Sequence, residues 1–62
     1  MKAPHPKDGN THPATTPQGR DASYRHTGLE YLAWTDDPND FSRGGQLKVV
    51  LAKADRRAEA RA

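Results

Sequence analysis

Thr27-Gly28-Leu29-Glu30-Tyr31-Leu32-Ala33-Trp34 is the stretch on which the fold class turns, because it can be read as a helix or as a strand. Its first four residues have the spacing of a capping box. In that arrangement the Thr27 hydroxyl and the Glu30 carboxylate each satisfy a backbone N–H left free at a helix start. Leu29, Leu32 and Ala33 would then share one helical face, with Tyr31 and Trp34 beside it. Asp37 precedes Pro38 and is pushed out of the helical region, so this helix would stop near Thr35 or Asp36. Two turns is short for a helix to stand alone. The rival reading is a strand, since Tyr31, Trp34 and Thr35 all favour β structure. The helix is the preferred reading.

Toward the C-terminus, Asp37-Pro38-Asn39-Asp40 reads as a turn or a helix start, with Asp as cap and Pro at the first position. Gly44-Gly45 would cost a helix about 2 kcal/mol relative to alanine, so a bend is expected there. From Gln46 onward, Leu47, Val50, Leu51, Ala54 and Ala58 recur at helical spacing as one narrow stripe. Past Ala52 the residues are Ala, Asp, Glu, Lys and Arg, and Arg61 suits the negative end of the helix dipole. The stripe thins to alanine after Leu51, so the last two turns are expected to fray. The alternative is a strand at Leu47–Leu51 pairing with Leu29–Trp34, which would make a small α+β fold.

Toward the N-terminus the apolar signal vanishes. Apart from Met1, no large apolar residue precedes Tyr24, and four of the five prolines lie in the first 23 residues. Such a segment has little to bury against the entropy of ordering it. Residues 1–23 are therefore expected to form a disordered Pro/Thr/His-rich tail, with residues 24–62 as a helical mini-domain or docking segment. The fold class expected is small all-α: the tail, a short helix, a Pro/Gly turn region and a C-terminal amphipathic helix.

Leu, Val and Phe number seven in 62 residues and Ile is absent, which is thin material for an independent core. The lack of cysteine removes disulfides as a supplement and leaves a partner. No apolar run suggests a secretory signal or approaches the ~20 residues of a membrane span, so a cytoplasmic protein is expected. The preference for Ala, Arg and Asp over Lys and Ile suits a GC-rich bacterial or phage genome. Charge is blocked along the chain. Residues 27–45 carry Glu30, Asp36, Asp37 and Asp40 against Arg43, and residues 46–62 carry Lys48, Lys53, Arg56, Arg57 and Arg61 against Asp55 and Glu59. If the two blocks fold together, their opposite signs would help orient them.

Candidate chemistry is sparse. His5, His12 and His26 match no ligand spacing, and solvated histidines are the plainer reading. Asp36, Asp37, Asn39 and Asp40 resemble a calcium loop, but the positions that should hold a glycine and a bidentate Glu hold Ser42 and Lys48. Ser42-Arg43-Gly44-Gly45 carries a single Arg-Gly-Gly, which reads as a flexible joint, because RNA-binding segments of this kind are repeated arrays. No catalytic constellation, metal site or cofactor motif is present, and an enzyme is not expected. The leading expectation is an accessory protein that docks on a larger protein. Its anchors would be Leu29, Tyr31, Trp34, Phe41, Leu47, Val50 and Leu51, because large aromatics dominate interface energies. The second is weak nucleic-acid binding through Lys53, Arg56, Arg57 and Arg61 on the basic helix. Self-association through the Leu47–Ala58 stripe is less favoured, as the stripe is short for a coiled coil.

Overall fold

The computed structural model describes residues 9–62. The chain forms four strands, β1 (His12–Thr15), β2 (Asp21–His26), β3 (Tyr31–Trp34) and β4 (Ser42–Gly44), followed by one helix, α1 (Leu47–Arg61). The strands make an antiparallel meander in sequence order, with α1 laid across one face. This small α+β architecture overturns the expected all-α class, and "helical" no longer describes the chain.

Thr27–Trp34 is where the two readings part. Thr27 Oγ1 does accept from the N–H groups of Leu29 and Glu30, both at 3.4 Å, as a cap would. The chain nevertheless turns back on itself. Gly28 takes φ +98°, and the Thr27 N–H donates to the Glu30 carbonyl at 3.0 Å. Glycine first in a two-residue loop is the hairpin arrangement. The same hydroxyl that caps a helix thus closes the β2–β3 hairpin, and Tyr31–Trp34 pairs with Ser23–His26.

The expected tail is also corrected, since β1 and the start of β2 lie within it. Thr16-Pro17-Gln18-Gly19 joins them. The Gly19 N–H donates to the Thr16 carbonyl at 2.9 Å, and Gly19 sits at φ +85°. Pro second and a left-handed Gly fourth suit a type I turn that opens a three-residue hairpin loop. The first eight residues of the expected tail, His5 among them, lie outside the described residues.

Asp37-Pro38-Asn39-Asp40 is a turn, closed by Asp40 N–H to the Asp37 carbonyl at 3.0 Å. The Arg43-Gly44 pair is not a joint but lies within edge strand β4. The alternative hairpin of Leu29–Trp34 with Leu47–Leu51 is likewise absent: β3 is flanked by β2 and β4, and Leu47–Leu51 is helical.

The core lies between α1 and the sheet. Leu47, Val50 and Ala54 pack on Tyr24, Tyr31 and Ala33, with Leu51 and Ala14 at the margin. Small residues sit where the helix comes closest. Ala33 is fully buried, and a Cβ on Gly44 would stand 3.1 Å from Val50 Cγ2. Two aromatic contacts extend the row: His12 lies 5.5 Å from Tyr24, and His26 lies 4.6 Å from Tyr31 edge-on. Among the described residues, no helix is long and apolar enough to cross a membrane.

Two polar clasps fix the helix. Asp55, buried on α1, accepts from the Gln18 N–H at 3.1 Å and from Arg20 at 2.9 Å. Burial opposes its charge, but the Thr16 hydroxyl, Arg20 and the Gln18 N–H together hold its carboxyl below the usual carboxylate range. At the far end, Arg61 bonds to Asp36, Asp40 and Thr35, and Arg57 pairs with Asp40 at 2.8 Å. The acidic middle and the basic end of the sequence do meet. That clasp holds α1 helical through Arg61, where fraying was expected.

Candidate nucleic-acid interface

β4 is an edge strand, and α1 runs beside it, so residues of the two elements border one flank of the molecule. Lys53, Arg56 and Arg57 stand at i, i+3 and i+4, which brings them to one helical face. With Ser42 and Arg43 from β4 they line a groove of about 380 Å³. Three helix cations therefore border one hollow, with Arg43 of the edge strand at its rim.

The four are held differently. Arg57 donates through Nε to the buried Ser42 Oγ at 3.0 Å and pairs with Asp40, so its guanidinium is anchored at the groove wall. Arg43 is more than two-thirds exposed and pairs with Glu30 at 3.1 Å. Lys53 and Arg56 are exposed and make no ion pair among the described residues. The groove thus combines two committed cations with two available to an incoming anion.

Arg61, expected on this surface, is turned away to the β3–β4 loop. Asp40, then Asp36, hold it protonated by direct hydrogen bonds, and the Arg61 pairing in turn keeps Asp40 low. Asp36 is lowered first by the Thr35 hydroxyl and then by its own backbone and Arg61. These carboxylates serve the loop clasp.

The expected protein-docking residues are scattered. Leu47 and Val50 are buried against the sheet, Leu51 borders the core, and Tyr31 lies within it. Leu29 is 92% exposed at the tip of the β2–β3 hairpin. Trp34 and Phe41 are half-buried, and β alternation opposite the buried Ala33 and Ser42 puts both on the sheet face away from α1. The helix face proposed to bind a partner is thus occupied by the chain's own sheet.

Sequence reasoning missed Arg43, because its significance depends on β4 lying against α1. The signal was the lone cation between Ser42 and the two glycines, read as part of a joint. A second hollow, of about 260 Å³, lies between the β1–β2 turn and α1; Thr15, Pro17, Leu47 and Leu51 line it, and Lys48 is its one cation. No family model matches the chain, and comparisons with curated proteins and with solved structures found no match.

Proposed function

We propose that this chain is a non-catalytic nucleic-acid-binding module that receives backbone phosphates in the groove between β4 and α1. The observation that carries the reading is the convergence of Arg43, Lys53, Arg56 and Arg57 on one hollow, with Lys53 and Arg56 unpaired among the described residues. Phosphate oxygens are the ligand such a cluster suits, as charge-assisted bonds to guanidinium groups are strong and directional. A cytoplasmic location, where nucleic acid is met, belongs to this reading.

Docking on a protein is less well supported. It would have to proceed without Leu47 and Val50, whose burial already serves the core.

Binding of a fluorescently labelled oligonucleotide, followed by anisotropy, tests the proposal. Contact with about three phosphates should weaken affinity roughly 20-fold between 50 and 200 mM salt. Replacing Lys53 and Arg56 together with alanine should weaken binding further and flatten that dependence. Both residues are exposed, so the fold should survive. Affinity indifferent to salt, or unchanged in the double variant, rules the groove out.

A further inference from the structure

The sheet has two faces, and α1 covers only one. Strand alternation places Asp21, Ser23 and Arg25 of β2, Leu32 and Trp34 of β3, and Arg43 of β4 on the other. The register lines up Arg25, Leu32 and Arg43 across three strands, with Ser23 and Trp34 in the next row. Continued by one residue, it sets Phe41 opposite Trp34. Among the described residues, no helix or further strand forms a second layer over this face. Arg43 belongs to both surfaces: it lies on the open face and lines the phosphate groove. An aromatic surface beside Arg25 and Arg43 is therefore continuous with the groove around the β4 edge.

We infer that the ligand is single-stranded nucleic acid. Its phosphates lie along Arg43, Lys53 and Arg56, and a base stacks on Trp34 on the open sheet face. This rests on the groove reading above and narrows it. Duplex bases are already stacked on one another and offer no free face to a tryptophan. A single strand can turn a base outward, and stacking on an aromatic side chain tolerates any base. Charge complementarity favours the same path. On the open face Arg25 and Arg43 flank Leu32 but are balanced by Asp21 and by Glu30, which pairs with Arg43. The uncompensated positive charge therefore comes from Lys53 and Arg56 at the groove, while Asp36 and Asp40 are engaged by Arg61.

Trp34 is the single tryptophan of the chain, so its fluorescence reports directly on the inferred contact. The full chain is titrated at 50 mM salt with a ten-residue oligothymidylate, the matching oligouridylate, a ten-base-pair duplex and inorganic polyphosphate. The expected result is quenching by either single strand, with a tighter oligouridylate marking RNA as the preferred source. Polyphosphate should bind without quenching, and the duplex should bind more weakly than the single strands. Trp34→Ala should lose about fivefold or more in single-strand affinity, read by anisotropy, and leave polyphosphate binding unchanged. Trp34→Phe, which keeps an aromatic platform on the same face, should retain most of the affinity. Single strands that bind without quenching and no tighter than the duplex overturn the stacking inference and leave the groove reading intact. No binding of any of the four overturns both.

Discussion

Gly44 shows how much one residue can decide. It lies in β4 beneath the helix, and its backbone needs no unusual φ, so its role is space rather than conformational freedom. An added Cβ would stand 3.1 Å from Val50 Cγ2, and Val50 is fully buried. Gly44→Ala requires Val50, with α1 or β4, to give by a few tenths of an ångström, and overpacking of this kind costs about 1–3 kcal/mol. Gly45, one residue on, has nothing within 4 Å of its would-be Cβ. Gly45→Ala should be neutral or slightly stabilising through the unfolded chain. Urea unfolding of the two variants should separate them clearly; equal midpoints would mean that the helix seat is looser than described. Ala33 and Ser42 obey the same logic, small where the helix presses closest.

Among the elements, α1 and the β1–β2 hairpin are joined by a buried carboxylate. Asp55 on the helix takes its partners from Thr16, Gln18 and Arg20 around one turn, so the helix and that hairpin stand or fall together. Its pKa is lowered in the folded state, as are those of Asp36 and Asp40 in the β3–β4 clasp. A depressed carboxylate contributes stability that is complete above the unfolded value, near pH 4, and lost as pH falls through the folded value. The thermal midpoint should therefore drop between pH 5 and pH 2. Asp55→Asn should lower the midpoint at pH 7 and shrink that drop, because an amide accepts poorly where an ion was held. A variant with the same acid transition as the parent would place the pH dependence elsewhere. None of this was legible from Asp55 in the sequence, where it looks like a weak helix former among alanines and arginines. Its partners are 35 to 39 residues distant in the chain.

For the whole molecule, the N-terminal hairpin is part of the fold. A chain of residues 24–62, the unit that sequence composition marks off, lacks β1 and half of β2. It exposes the edge of β2 that β1 covers and strips Asp55 of its three partners, leaving a buried charge uncompensated. Residues 24–62 alone should give collapsed amide NMR peaks and partial helicity only, whereas residues 9–62 should give dispersed strand resonances. Dispersion in the shorter chain would show that β3, β4 and α1 suffice. The β1–β2 hairpin escaped the sequence reading because its inward residues are Ala14, Ala22 and Tyr24, too small or too few to stand out. The period-two alternation of Ala22, Tyr24 and His26 against Ser23 and Arg25 was present, and so was the Thr16-Pro17-Gln18-Gly19 turn. They carried little weight beside the missing large aliphatics.

By itself the sequence determined the features that depend on neighbours along the chain. These are the C-terminal helix and its inward stripe, the turn at Asp37–Asp40, the bend at Gly45, and the blocks of opposite charge. Each follows from local spacing, backbone restriction or composition. Only the tertiary structure decided between helix and strand at Tyr31–Trp34. Capping chemistry is shared by helix starts and hairpin turns, and a strand gains its hydrogen bonds only from partners elsewhere in the chain. The same holds for the candidate site. Lys53, Arg56 and Arg57 could be seen as one helical face, but their union with Arg43, and the separation of Arg61 to the loop, depends on β4 pairing at the sheet edge. Trp34 faces away from the helix because Ala33 faces toward it, and which face of β3 is inward was settled by where α1 came to rest.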